Sequence, residues 1–169
     1  MKQLEILANE FISPEANEMV EEAKSLIWKK DSIAKVMKFL GICRASNHYM
    51  ETILNNIDDK IEETDQYIEN GQYNKALAMM KTLTRENRYF YEFANICTYS
   101  ICEAANSKDS EYVSTTIIEY SNRLSEYGER FRTIIDSSME ETYNNFKIVE
   151  ADFLIDLYLA KKRKLEKDN

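Results

Sequence analysis

Apolar residues recur in alternating steps of three and four along a long stretch of this chain. The stripe has eleven positions: Ile33, Val36, Leu40, Cys43, Asn47, Met50, Leu54, Ile57, Ile61, Thr64 and Ile68. Because this spacing places all eleven side chains on one side of an α-helix, it predicts a single helix over residues 32–70 that packs in the manner of a coiled coil.

The same rhythm returns after a short interruption, at ten further positions. They are Tyr73, Leu77, Met80, Leu83, Asn87, Phe90, Ala94, Cys97, Ile101 and Ala104. Asn70-Gly71 separates the two stripes, and glycine just past a helix favours the left-handed C-cap that ends it. So short a connection joins antiparallel helices, and residues 32–106 are therefore predicted to form a long helical hairpin. Asn47 should then lie across from about Ala94.

The N-terminal residues also favour helices. Gly and Pro together supply only four of 169 residues, and no stretch alternates apolar with polar side chains for the length of a strand. Ser13-Pro14 is typical of a helix start, because serine is a preferred N-cap and proline suits the first helical position. Residues 1–30 are therefore predicted to form short helices that close one end of a bundle.

A third apolar stripe runs from Val113 to Ile134, after which the spacing changes. Two serine–glutamate pairs, Ser137 with Glu140 and Ser138 with Glu141, have the spacing of a capping box. Residues 110–165 are thus either one helix or a pair broken near 136–138. The predicted fold is an all-α, elongated antiparallel helical bundle with coiled-coil-like long helices, formed by residues 1–169 as a single domain.

Composition excludes several classes of protein. The three glycines stand 30 and 57 residues apart, which excludes a glycine-rich phosphate loop, and no cofactor is predicted. The longest uncharged run is ten residues, at 93–102, so we expect no membrane span and a cytoplasmic location. Three cysteines, an odd number, do not make a disulfide framework; we expect all three to be reduced thiols in the core.

The net charge of −8 is unevenly distributed along the chain. Residues 51–70 hold seven acids and one base, whereas residues 161–169 hold five bases and two acids. Direct binding of nucleic acid by the whole surface is therefore not expected. Residues 58–69 carry an acidic stripe, made of Asp58, Glu62, Asp65 and Glu69 with Asp59 and Glu63 beside it. It is either a solvated helix face or an imitation of a row of phosphates; its acids point outward together, so no metal site is predicted.

Arg44 and the single histidine, His48, lie one helical turn apart on a common side. This pair resembles the motif of HEPN ribonucleases, helical bundles in which an arginine is followed by a histidine after four to six residues. Here three residues intervene, which departs from that pattern. The resemblance implies a ribonuclease in which His48 transfers protons and Arg44 steadies the phosphate. The simpler interpretation is a structural or surface histidine, and no catalytic residue is assigned.

One stretch of the second long helix is rich in residues that protein interfaces favour. It contains Arg85, Arg88, Tyr89 and Tyr91, and Phe90 and Phe93 are so close by that the rings surround the helix. Tyr and Arg supply much of the binding energy at interfaces, so these four residues are the predicted partner-binding site. The preferred function is a non-catalytic, regulatory protein that binds another protein, with a homodimer among the open arrangements. A ribonuclease and an acidic nucleic-acid mimic are the alternatives.

Overall fold

The structure, a computed structural model, describes residues 1–11, 13–26, 32–134 and 140–167. These ranges contain six helices: α1 (Lys2–Glu10), α2 (Pro14–Ser25), α3 (Ser32–Glu69), α4 (Tyr73–Ala105), α5 (Ser114–Ile134) and α6 (Glu140–Lys167). They contain no strand, and the two long helices pack against each other. The predicted all-α helical bundle is therefore confirmed, while the proposed break near 136–138 lies outside the described residues.

The turn between α3 and α4 has the geometry that the sequence predicts. Gly71 adopts a φ of 69°, in the left-handed region. Its N–H donates to the carbonyl of Ile68 at 3.1 Å, and the N–H of Gln72 donates to the carbonyl of Tyr67 at 2.8 Å. This pair of hydrogen bonds is a Schellman motif, which satisfies two of the carbonyls left unpaired at the end of α3.

The described chain groups into two compact units, and α3 and α4 contribute to both. The first unit comprises Met1–Asn56 and Arg85–Arg132, and the second comprises Ile57–Thr84 and Thr133–Asn169. The prediction of a single domain over residues 1–169 stays a prediction.

The hairpin in the first unit has the predicted antiparallel register. The Cys97 thiol donates to Asn47 Oδ1 at 3.3 Å, and the rings of Tyr49 and Phe93 stack with their centroids 4.6 Å apart. Both pairs are symmetric about residues 71–72, close to the predicted pairing of Asn47 with Ala94. Asn47 is buried, and its Nδ2 has no hydrogen-bond partner among the described residues.

The two N-terminal helices pack against the sides of α3 and α4. Phe11, at the end of α1, meets the rings of Tyr49, Tyr89 and Phe93 edge-on at centroid distances of 5.5, 6.0 and 6.1 Å. The Tyr49 hydroxyl donates to Asn17 Oδ1 of α2 at 2.7 Å. We define Phe11, Tyr49, Tyr89 and Phe93 as the aromatic cluster. It joins three helices, which explains why α3 buries more than the single stripe predicted for a hairpin arm.

Helix α2 lies close to α3 at a glycine. A Cβ added at Gly41 would lie 3.2 Å from the Cβ of Ala23, which is tighter than an ordinary van der Waals contact. Gly128, within α5, has nothing within 4 Å of the same position. Gly41 therefore allows α2 to pack closely against α3, whereas the position of Gly128 has room for a larger side chain.

The second unit contains the turn, the adjoining ends of α3 and α4, and α6. Its core includes Ile57, Ile61, Ala76, Met80, Leu83 and Phe146. At the start of α6, Thr142 donates to Asp65 Oδ2 at 3.3 Å, and the hydroxyls of Tyr143 and Thr84 lie 2.5 Å apart. From residue 151 to residue 167, every described side chain of α6 is exposed.

The two helical glycines give a matched pair of stability predictions. Gly128→Ala should raise the free energy of unfolding by about 0.5–1 kcal/mol, because alanine is a better helix former and the site is open. Gly41→Ala should raise it less or lower it, because the new methyl group must displace Ala23. Urea unfolding of both variants measures the difference, and equal gains would contradict the close approach of α2 to α3.

A second prediction concerns alkaline pH. Burial raises the pKa of Tyr49 to about 12, whereas tyrosine in an unfolded chain ionises near 10. Between those pH values only the unfolded chain loses this proton, so the free energy of unfolding should fall as pH rises. Tyr49→Phe should lower that free energy by about 1 kcal/mol at neutral pH, through loss of the bond to Asn17. It should also make the alkaline decline less steep, and an unchanged slope in urea titrations would refute the assignment.

Candidate protein-binding site

Three of the four predicted binding residues lie on the surface of α4. Arg85 is exposed, the Arg88 side chain is 61% exposed, and Tyr91 is 58% exposed. The fourth, Tyr89, is only 4% exposed. Tyr89 therefore belongs to the core rather than to an interface, which corrects its assignment as a partner-binding residue.

Contacts with α1 explain why Tyr89 is buried. Its ring packs in the aromatic cluster, and its hydroxyl donates to Glu10 Oε2 at 2.7 Å. Burial, followed by this hydrogen bond, raises the pKa of Tyr89, while Arg85 and Arg88 oppose the rise. The α4 sequence alone could not reveal this, because the covering residues lie about 80 positions earlier in the chain.

The exposed Tyr91 is held in place by buried rings. It meets Phe131 of α5 edge-on, with centroids 5.4 Å apart, and meets Phe90 in the same manner at 6.4 Å. Phe90 and Phe131 are themselves stacked 3.9 Å apart. One side of the Tyr91 ring is thus supported by the core while more than half of the side chain faces solvent.

Arg88 is also held by its neighbours. Its guanidinium lies 3.6 Å from Glu92 and 3.9 Å from Glu10, and over the Tyr89 ring at 5.4 Å from the centroid. Glu92 is one helical turn further along α4, whereas Glu10 ends α1. Tyr89, although buried, therefore contributes to the surface indirectly by supporting Arg88.

The structure adds one residue that the sequence analysis missed. Tyr99 is 62% exposed, and its ring meets Phe39 of α3 edge-on at 6.4 Å. At the angular spacing of an α-helix, Arg85, Arg88, Tyr91 and Tyr99 fall within an arc of about 120°. We call these four residues the α4 face. Tyr91 and Tyr99 are eight residues apart, which is a little more than two helical turns. The sequence alone could therefore have indicated that the two tyrosines lie on the same side of α4.

A groove opens beside Tyr99 in the first unit. It has a volume of ≈ 520 Å³, and its lining includes Met1, Lys38, Phe39, Asn95 and Tyr99. Burial, followed by repulsion from Lys38, lowers the pKa of the Met1 amino group. The groove is large enough for a side chain of a partner, and its polar groups come from the α1 start, α3 and α4.

The predicted ribonuclease pair occupies a different place, between α2 and α3. Arg44 lies 3.9 Å from Glu22, and the His48 ring nitrogen Nε2 lies 3.9 Å from Glu15. Arg44 lines a cavity of ≈ 150 Å³ whose lining does not include His48. Carboxylates beside both groups would repel a phosphate, so the contacts favour a role in attaching α2 to α3.

The acidic stripe lies in the second unit, where α6 adds to it. A groove of ≈ 590 Å³ is lined by Asp58, Glu62 and Asp65 of α3, and by Glu141, Thr142 and Asn145 of α6. Glu141 of α6 therefore lines the same groove as three acids of the stripe. Among the described residues, no three or more His, Cys, Asp or Glu side chains are arranged so that they could hold a metal ion.

Two thiols meet in the core of the first unit. The Sγ atoms of Cys43 and Cys97 are 3.0 Å apart, and both residues are fully buried. The hydrogen bond with Cys97, and then burial, raise the pKa of the Cys43 thiol well above its usual range. Cys102 is exposed, so the expectation that all three cysteines lie in the core is wrong for this residue.

No known protein family, curated protein or solved structure matches this chain. No helix in the described ranges is both long enough and apolar enough to cross a membrane.

The thiols give a prediction that tests the core. An aromatic disulfide reagent should react rapidly with one thiol per chain, Cys102, and at least about 100-fold more slowly with the other two, which require local opening. Cys102→Ser should abolish the fast phase and leave the slow one. A fast-reacting thiol that persists in Cys102→Ser would contradict the burial of Cys43 and Cys97.

Proposed function

We propose that this chain is a non-catalytic protein that binds another protein through the α4 face. The observation that carries the proposal is the pair of tyrosines, Tyr91 and Tyr99, each about three-fifths exposed on one side of a helix. Tyrosine rings on a protein surface supply a large contact area together with a hydroxyl for hydrogen bonding, and they are frequent among the residues that dominate binding energy. The predicted regulatory role and cytoplasmic location belong to the same proposal.

Contacts with neighbouring residues restrict the side chains of the α4 face, and this restriction favours binding. Phe131 and Phe90 restrict the Tyr91 ring, and Glu92 and Glu10 hold Arg88. A side chain that is already restricted loses less conformational entropy when a partner docks, so more of the contact energy is retained as affinity. The α4 face is therefore partly organised before binding.

The test uses a triple variant and a matched control. Arg88→Ala, Tyr91→Ala and Tyr99→Ala together should reduce capture of the partner from the native host at least about tenfold, since each truncation removes an anchor. The control combines Tyr112→Ala and Arg132→Ala, residues of the same types that are exposed outside the α4 face. Quantitative mass spectrometry of affinity-captured material measures both.

Circular dichroism should show unchanged helix content in both variants. The partner should also form covalent adducts with a photoreactive amino acid placed at Tyr91, and not with the same group at Tyr112. If the triple variant captures the partner as well as the control does, the α4 face is not the binding site.

A further inference from the structure

The C-terminal part of α6 carries large apolar side chains in an exposed position. Six of them are between 41% and 66% exposed: Ile148, Leu154, Ile155, Tyr158, Leu159 and Leu165. We call these six residues the α6 face. Single apolar residues are common on protein surfaces, but six within 18 positions form a patch of the kind that marks an interaction site.

The α6 face lies on one side of its helix. At 3.6 residues per turn, its members fall within an arc of about 140°. The same stretch contains a heptad pattern, since Ile148, Ala151, Ile155, Tyr158, Lys162 and Leu165 alternate in steps of three and four. This spacing is the seam of a coiled coil, so the α6 face has the form that packs against another helix.

Charges on α6 are separated along its length. Residues 148–160 carry three acids, Glu150, Asp152 and Asp156, and no base. Residues 161–167 carry five bases and one acid. A parallel pairing with a second copy would place like charges together, whereas an antiparallel pairing places each acidic half beside a basic half.

We propose that the α6 face is a homodimer interface, in which α6 pairs with α6 of a second copy in antiparallel orientation. The heptad pattern sets the register, because antiparallel pairing about residues 156–157 aligns every seam position with another seam position. Ile148 of one copy then lies beside Leu165 of the other, and Ile155 lies beside Tyr158. At the remaining layer, Lys162 meets the small Ala151, over which its aliphatic stem can extend.

The charges of α6 favour a second copy of this chain over other binding partners of the α6 face. An acidic partner would be repelled by residues 148–160, and a basic partner by residues 161–167. A membrane of anionic lipid would attract the basic end but would meet Asp152 and Asp156 within the same helix. The α6 sequence is complementary to its own reverse, which is the requirement of a two-fold interface. This interface does not depend on the α4 face.

The test measures the mass of the full chain by sedimentation equilibrium at micromolar concentration. The chain should sediment at twice 19.9 kDa. Ile155→Asp should raise the dissociation constant at least about tenfold, because it buries a carboxylate in the centre of the seam. Ile118→Asp, which changes a comparably exposed isoleucine on α5, should leave the dimer intact. The α4 triple variant should also remain dimeric, which separates this proposal from the proposed function.

A charge exchange tests the orientation and the pairing together. In this register, residues 150 and 152 of one copy lie beside residues 163 and 161 of the other. Lys161→Glu with Arg163→Glu makes all four positions acidic, and Glu150→Lys with Asp152→Lys makes all four basic. Each double variant alone should be mainly monomeric, and an equimolar mixture should recover a dimer. Spin labels at Lys164→Cys, in a Cys102→Ser chain, should lie more than about 20 Å apart along an antiparallel pair and within about 10 Å in a parallel one.

Three results would overturn the proposal. They are a monomeric wild-type chain at these concentrations, a dimer that Ile155→Asp does not weaken, and a short distance between the Lys164→Cys labels. Cosedimentation with vesicles of phosphatidylglycerol and phosphatidylcholine, lost in Ile155→Asp while the wild-type chain alone stays monomeric, would assign the α6 face to a lipid surface instead.

Discussion

The aromatic cluster is the contact on which the first unit depends. Phe11 follows α1, Tyr49 lies on α3, and Tyr89 and Phe93 lie on α4, so the packing of these rings brings three helices together. The two hydroxyls extend the same contact to polar partners, Asn17 for Tyr49 and Glu10 for Tyr89. A buried hydroxyl without a partner would cost free energy, so these bonds fix the direction from which α1 and α2 approach. The hairpin register and the N-terminal helices are thus determined at one place.

The α4 face follows from this arrangement. Covering Tyr89 with α1 brings Glu10 beside Arg88, and stacking Phe131 on Phe90 brings α5 beneath Tyr91. The same contacts that bury one side of α4 therefore orient the residues on its other side. A surface that is built on core contacts is more rigid than one carried by a loop, and this is the physical reason for locating the proposed interface there.

Much of the fold could be predicted because it rests on local periodicity. The three-four spacing from Ile33 to Ile68 and the cap at Gly71 are encoded within neighbouring residues, and the structure confirms both the all-α bundle and the Schellman turn. The burial of Tyr89 could not be predicted, because it depends on a residue 79 positions away on another helix. The meeting of Cys43 with Cys97 is different, because both lie on the two stripes and the hairpin register predicted for Asn47 and Ala94 places them nearly opposite each other. A single apolar stripe on a helix predicts packing against one neighbouring helix, whereas α3 packs against more than one. The omission of Tyr99 had another cause, because its spacing from Tyr91 on the same helix was a local signal that the predicted binding residues did not include.

Helix α6 differs from the other helices because most of its length has no buried side chain among the described residues. At its start, Thr142 and Phe146 are buried in the second unit, but from residue 151 onward no described side chain is buried. A helix segment without tertiary packing is marginal in water, because intrinsic propensity alone barely offsets the cost of ordering the backbone. The five bases near its end interact favourably with the helix dipole, and that contribution is present in a single copy. The dipole gives no reason for five large apolar side chains to share one side of that segment, namely Leu154, Ile155, Tyr158, Leu159 and Leu165. Burial of that side against a second copy would supply the packing that the segment otherwise lacks, so the ordering of α6 and its pairing become one equilibrium.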